Sequence, residues 1–511
     1  MSTSSRNNRK DTLARILIVI LAVILQLFIN LTVATWLKDK IAWIEAILHL
    51  LSVIITLMII KNSRHLSSDV LWIVLINVFP IPGTILYLFL GADLILSKTY
   101  RSIRETTQNS MRYYYQDPQI MEELKKRSPA FYGQFEYISQ ADGYPFYRNT
   151  GFDYYPLGED GFPIILEELK KAEKFIFLEY FIIEHGKMWD SILEILEEKA
   201  KQGVEVRVMY DDLGSFFVLP GSYAAILEEK GIKCIPFNRI SLFLNIIINH
   251  RDHRKLMVID GKVAFSGGIN LADEYINEIR KYGKWKDNVI RIKGEAVWSY
   301  TVMFLSHWNA LRKEDLTFLS YRSLAIKEEE DGYIAPYSET PLDNEVYAQN
   351  IYLNILNQAR EHCYISTPYL IIDTEMINAL ILAAKRGVDV RIITPGIPDK
   401  KMVFMITRSY YYQLIEGGVR IYEYDPGFVH AKVFEADGRI ATVGTVNLDY
   451  RSLYLHFENG TYLYGSRKIK KIRNDLESMM NEGHEISLNE ARNGPIKEFF
   501  LSILRLFAPL M

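Results

Sequence analysis

His253-Arg-Lys255-Leu-Met-Val-Ile-Asp260-Gly261 and His430-Ala-Lys432-Val-Phe-Glu-Ala-Asp437-Gly438 stand 177 residues apart, with His, Lys, Asp and Gly at the same internal spacing. The register persists through Ala264/Ala441, Gly267/Gly444, Asn270/Asn447 and Leu271/Leu448. Identities held at one fixed offset mean that a domain is written twice. Two copies are too few for a solenoid and predict a pseudo-twofold pair.

A second match supports the duplication. Lys201-Gln-Gly-Val-Glu-Val-Arg-Val answers Lys385-Arg-Gly-Val-Asp-Val-Arg-Ile at an offset of 184. Each copy follows an apolar-faced helix (Trp189–Ala200, Glu375–Ala384), and an apolar strand precedes each helix (Phe175–Ile183, Cys363–Ile372). Strand, helix, strand predicts an α/β fold with a mostly parallel sheet and helices on its faces.

The repeated residues carry chemistry. Residues i and i+2 of a strand share a face, so His253 projects with Lys255 and His430 with Lys432. Asp-Gly then permits a tight turn, and a returning strand brings Asn270 or Asn447 back beside the histidine. An ammonium beside an imidazole suits phosphate: lysine holds charge while histidine attacks or moves a proton. One half supplies one histidine, whereas phosphoryl transfer through a covalent intermediate needs a nucleophile and an acid on opposite sides of phosphorus. Two halves face to face provide both, with Asn270 and Asn447 placed to donate to phosphate oxygens.

The apolar residues are unevenly spread. Ile16–Leu37 and Val70–Ala92 hold no charged residue, and Ile41–Ile60 holds only Glu45. A helix rises about 1.5 Å per residue, so each run is long enough for a ~30 Å hydrocarbon core. Residues 1–96 are therefore expected to be a membrane anchor of two to three transmembrane segments (about 16–37, 41–60 and 70–92). Pro80-Ile-Pro-Gly83 breaks the third, which must be kinked or re-entrant. A polar interfacial connector (97–128), a first domain (129–335) and a second domain (336–511) follow. The second ends in an amphipathic helix, Ile496–Leu506. A formal charge of −3 gives no electrostatic case for a nucleic-acid partner, and Cys234 and Cys363 cannot build a disulfide framework or a cysteine-rich metal site. HExxH, CxxC and P-loop patterns are missing, so no metal or cofactor is expected.

The two HxKxxxxD segments resemble the HKD motifs of the phospholipase D superfamily, and the surrounding sequence resembles its bacterial cardiolipin synthase branch. The likeness is carried by Pro80-Ile-Pro-Gly83 with Tyr87-Leu-Phe-Leu-Gly91, by His253 through Asn270, by Arg408-Ser-Tyr-Tyr, by Gly427-Phe-Val-His430 and by Val443 through Ser452. It implies two phospholipase D-type α/β sandwich domains behind transmembrane helices, in a multi-pass protein of the cell membrane. It also implies a metal-independent transphosphatidylation in which two phosphatidylglycerols become cardiolipin and glycerol. Carried over, His253 or His430 forms a phosphohistidine, with the family leaning towards His253, and the other histidine serves as acid and base. Lys255, Lys432, Asn270 and Asn447 bind phosphate, Asp260 and Asp437 orient the catalytic site, and Glu458 has an accessory role. A phospholipase D-type hydrolase, a transphosphatidylase of other phospholipids, and a membrane-anchored nuclease are the alternatives. The chain departs from the family at His456-Phe457-Glu458, where asparagine often precedes Phe-Glu, and at Glu435, inside a strand where apolar residues are usual.

Overall fold

Each copy of the repeat builds one sheet around the strand that precedes its helix. The structure is a computed structural model describing residues 42–62, 66–88, 98–141, 143–239, 250–323, 332–343 and 345–508. The first apolar run, 16–37, lies outside the described residues. The chain divides into two units, one of Lys98–Arg239 with Arg251–Leu501, the other of Met1–Ser97, Ile240–His250 and Ser502–Met511.

Among the described residues, the larger unit holds a seven-stranded and an eight-stranded sheet. The first runs Thr150–Tyr155, Val289–Gly294, Val263–Gly267, Lys255–Ile259, Phe175–Tyr180, Glu205–Asp211, Lys233–Phe237. The second runs His484–Glu485, Arg420–Tyr424, Asp389–Pro395, His362–Ser366, Lys432–Ala436, Ile440–Gly444, Glu458–Tyr464, Tyr333–Glu339. Tyr333–Glu339, which spans the expected boundary at 335/336, thus pairs within the second sheet.

The expected mostly parallel sheets are in fact mixed. Within these two sheets, parallel pairing is confined to the three strands around each helical crossover. The remaining neighbours within each sheet are antiparallel. The cause is the Asp-Gly turn. Asp260 and Gly261 have φ of 54° and 63°, Asp437 and Gly438 of 54° and 64°. Two left-handed residues in succession make a hairpin turn, and a hairpin can only pair its strands antiparallel. The crossover helix Lys187–Lys201 buries Met188, Trp189, Ile192, Leu193, Ile195 and Leu196 on its sheet, and Thr374–Lys385 buries Met376, Ile377, Leu380 and Ala383. Cys234 and Cys363 are buried free thiols.

In the other unit, Ala42–Asn62 and Leu66–Val78 are helices, and a short helix, Pro80–Leu86, follows a break at Phe79. The Pro80/Pro82 segment bends the chain back on itself. Trp72 and Tyr87 meet at 5.8 Å between ring centroids, where a straight helix would hold fifteen residues' rise, about 22 Å, between them. The close approach needs glycine: a Cβ on Gly83 would lie 2.3 Å from the Leu75 carbonyl oxygen. Ile59, Trp72 and Ile76 form the small core of this bend, while Leu50, Leu57 and Met58 stay exposed. Among the described residues no helix is long and apolar enough to cross a membrane.

The bend gives a direct test. Cysteines at positions 72 and 87 should be bridged by a short bis-maleimide in the otherwise native chain, and Gly83→Val should abolish the cross-link. A bridge unaffected by Gly83→Val would contradict the doubled-back path.

Candidate active site

The two histidines stand at the mouths of their strands, each held by the opposite half of the repeat. The His253 amide donates to the Phe457 carbonyl at 2.9 Å, and the Phe457 amide donates to Arg251 at 2.9 Å. In the mirror arrangement the His430 amide donates to the Lys286 carbonyl at 2.8 Å. The imidazoles repeat the exchange. His253 Nδ1 lies 2.9 Å from both carboxylate oxygens of Glu458, and His430 Nδ1 lies 2.6 Å from Asp287 Oδ2. An ionised carboxylate can only accept, so on Nδ1 it makes that nitrogen the protonated one and leaves Nε2 with a free lone pair.

The lysines complete the cluster. Lys255 Nζ donates to the His253 carbonyl at 2.7 Å, and Lys432 Nζ donates to the His430 carbonyl. His253 and His430 are each 7% exposed, Lys255 and Lys432 at most 2%, and Glu458 and Asp287 not at all. Burial therefore dominates the protonation equilibria. It holds Lys255 down at about 8 against the opposing pull of Glu458 and Asp287. It lowers Lys432 to about 7, where Lys255 adds to the fall. His430 is lowered to about 4 by burial and Lys432, and His253 falls well below its ordinary value through burial, Lys255, His456 and Lys432. The two acids diverge. Burial raises Glu458 well above the carboxylate range, whereas for Asp287 burial is outweighed by His430 and Lys432 and the group is lowered.

Asn270 reaches this cluster through Tyr275, and Asn447 pairs with Asp449. Asn270 Oδ1 accepts from the Ile182 amide at 3.1 Å, and its Nδ2 donates to Tyr275 Oη at 2.7 Å; the Tyr275 ring packs 5.5 Å from that of His430. Asn447 Nδ2 donates to Asp449 at 2.9 Å. Each amide thus uses one N–H and retains the other.

Asp260 and Asp437 do not join the cluster, contrary to the expectation that they orient the catalytic site. Each closes its hairpin at the far end of a strand five residues long, about 16 Å from the lysine. There Asp260 accepts from the amides of Glu173, Lys174 and Phe175 at 2.7–2.9 Å, and Asp437 from those of Arg360, Glu361 and His362 at 2.8–3.0 Å. They clamp the start of the central strand. Glu435 is equally structural, since its buried carboxylate meets His362 Nε2 at 3.0 Å and the Gly438 amide at 2.7 Å.

Sequence reasoning missed Asp287. The signal was present as an acid followed by asparagine, Asp287-Asn288 and Glu458-Asn459, but these stand 34 residues after His253 and 28 after His430. Unequal loops hide the correspondence.

A family model described as "Cardiolipin synthase, PLD-like domain" matches residues 165–308 and 352–480, and one described as "Phospholipase_D-nuclease N-terminal" matches 50–91. A Geobacillus kaustophilus cardiolipin synthase is 33% identical over 97% of this chain and 99% of its own length. The chain belongs to the cardiolipin synthase family of phospholipase D-like enzymes. A Halalkalibacterium halodurans cardiolipin synthase is 32% identical, again over 97% of this chain and 99% of the relative. A Streptococcus mutans protein described only as uncharacterized is 45% identical over 89% of this chain and 99% of its own length. Among solved structures, the phosphatidylserine synthase of Haemophilus influenzae superposes with a TM-score of 0.56 at 15% identity, covering 70% of this chain and 95% of that one, a likeness of fold. As a member of this family, the chain is a phosphatidyltransferase.

Two substitutions separate the acids by role. Asp260→Asn should cost about 2–4 kcal/mol of stability, since its amide hydrogen bonds are to a charged group, while turnover per folded molecule changes little. Asp287→Asn should leave the melting temperature nearly unchanged and lower turnover by roughly 10²–10⁴, as the wrong tautomer becomes accessible to His430. Melting curves and initial rates on both variants check the assignment.

Proposed function

We propose that the chain is a membrane-bound cardiolipin synthase, moving a phosphatidyl group from one phosphatidylglycerol to another through a phosphohistidine. The observation that carries this reading is the reciprocal pairing of His253 with Glu458 and His430 with Asp287. It leaves two imidazoles, each with an Nε2 lone pair, beside two buried lysines.

The acids distinguish the histidines. Asp287 favours its ionised form and so favours an imidazolium at His430, whereas burial holds Glu458 towards its neutral form beside His253. His253 Nε2 accordingly attacks phosphorus as the P–O bond to glycerol breaks, and His430, having first taken a proton from solvent at Nε2 to become an imidazolium beside Asp287, delivers that proton to the departing glycerol oxygen. The incoming phosphatidylglycerol hydroxyl then returns a proton to His430 and attacks phosphorus, breaking the N–P bond and releasing cardiolipin. Lys255 and Lys432 offset the charge on the non-bridging oxygens, with one N–H each from Asn270 and Asn447. Burial of the histidines keeps water from the phosphohistidine.

Membrane attachment rests on the apolar runs of residues 1–96, including one outside the described residues, and on the exposed Leu50, Leu57 and Met58. The helix Pro495–Leu506 adds exposed Ile496, Phe499 and Phe500. Such surfaces suit a bilayer and bring the enzyme to a lipid substrate.

The test uses full-length protein in vesicles containing labelled phosphatidylglycerol, without nucleotide or added metal. Cardiolipin with equimolar glycerol is expected; phosphatidic acid as the product would identify a hydrolase instead. With a phosphatidyl donor bearing an activated leaving group, His430→Ala should still yield a covalent phosphatidyl-enzyme and His253→Ala should not. The pH profile follows from the lysines. A lysine titrating at about 7 or 8 is cationic below that pH and neutral above it, so kcat/KM for phosphatidylglycerol should fall as pH rises through 7–8. The acid limb is protonation of the attacking His253, whose lowered value puts it below 6.5. A basic limb near the ordinary lysine value of ~10.4 would contradict the buried-lysine electrostatics.

A further inference from the structure

The pseudo-twofold is broken at one position beside the histidines. The residue two before each orienting acid packs on the neighbouring catalytic imidazole. In one half this residue is Trp285, 5.4 Å from His430 between ring centroids. In the other it is His456, 5.5 Å from His253. A second imidazole therefore stands where the mirror half has an indole.

His456 is buried, and its backbone is held in place. Its amide donates to the Arg451 carbonyl at 2.9 Å, and the next residue, Phe457, is stapled to Arg251 and His253. Its Nδ1 lies 3.6 Å from Glu458 Oε1, the same oxygen that lies 2.9 Å from His253 Nδ1. One ligand atom from each of His253, His456 and Glu458 lies within 4.8 Å of the others. Ligands on a tetrahedral zinc at 2.0–2.1 Å are separated by about 3.3 Å, so small side-chain rotations suffice to close the set. Two imidazoles and one carboxylate, with a position left open, form a donor set that zinc accepts and that Mg2+ and Ca2+ do not prefer. A second convergent set, Glu179, Asp252 and His307, is less suited, because the Arg254 guanidinium already lies 3.5 Å from Glu179.

We propose that His253, His456 and Glu458 form a binding site for a divalent transition-metal ion of the zinc class, and that its occupancy stops phosphatidyl transfer. The inhibition rests on the function proposed above; the binding does not. The chemistry is a tautomer lock. Metal bonds form to Nδ1 of His253, Nδ1 of His456 and a Glu458 oxygen. The proton leaving His253 Nδ1 is replaced by one from solvent at Nε2, so the ring stays neutral while its attacking lone pair is removed. Nearby Lys255 and Lys432 oppose a dication, which makes the site weaker than a structural zinc centre and the inhibition reversible. The mirror half cannot copy it, because indole is no ligand at Trp285.

Full-length protein in detergent is titrated with Co2+, and transfer in phosphatidylglycerol vesicles is titrated with Zn2+ and then EDTA. Wild type should develop the intense visible absorption of four-coordinate Co2+ and lose transfer reversibly to Zn2+. His456→Asn should lack the absorption, still turn over without metal, and need at least about tenfold more Zn2+ for the same inhibition. His456→Gln and near-UV circular dichroism check that the effect is not misfolding. An absorption of equal strength in wild type and both variants, or none in wild type, would overturn the site. Equal inhibition by Mg2+, or by Zn2+ in both variants, would overturn the inhibitory role. Absorption that depends on His456, in a protein that makes no cardiolipin, would leave the site standing and remove the function instead.

Discussion

The active-site arrangement depends on a carboxylate from one half of the repeat meeting an imidazole from the other. Glu458 holds His253 and Asp287 holds His430, so neither half orients its own histidine. A single domain would have an imidazole of undefined tautomer and an acid with no partner. Duplication with exchange supplies two oriented imidazoles at once. The backbone reinforces the exchange, since the residue before each acid accepts from the amide of the histidine across the pseudo-twofold.

Burial gives the exchange its chemical consequence. Two lysines, two histidines and two acids are withdrawn from water together, and their charges offset one another at short range. Deprived of hydration, the lysines lose their proton easily and the imidazoles resist gaining one. On the proposed function, a phosphate diester entering this cluster would bring the charge that lets both lysines stay cationic. The two acids diverge within the same buried cluster, Glu458 raised and Asp287 lowered, and on the proposed function that difference gives the two histidines separate work.

Much of this was legible in the sequence. The HxKxxxxD repeat located both histidines, both lysines and the hairpins that carry them, and of the downstream asparagines Asn270 bonds to Tyr275, whose ring packs on His430. Glu458 was found through resemblance. What the spacing could not reveal is how far a residue lies from the chemistry along a strand. Asp260 and Asp437 repeat as faithfully as the histidines, yet they repeat because each must close a hairpin and cap a strand start. Asp287 escaped because the loop before it is longer than the one before Glu458, and a fixed-offset comparison does not see across unequal loops. The sheets were expected to be mostly parallel because βαβ units are conspicuous in sequence, whereas the antiparallel pairing follows from turns whose consequence is topological.

The reciprocal pairing is tested most directly by nitrogen-15 spectra of histidine-labelled protein, assigned through single-histidine substitutions. Both catalytic rings should show a protonated Nδ1 and an unprotonated Nε2. Glu458→Gln should shift the His253 resonances and leave those of His430 in place, and Asp287→Asn should do the reverse. A Glu458→Gln variant that moved His430 and spared His253 would contradict the account.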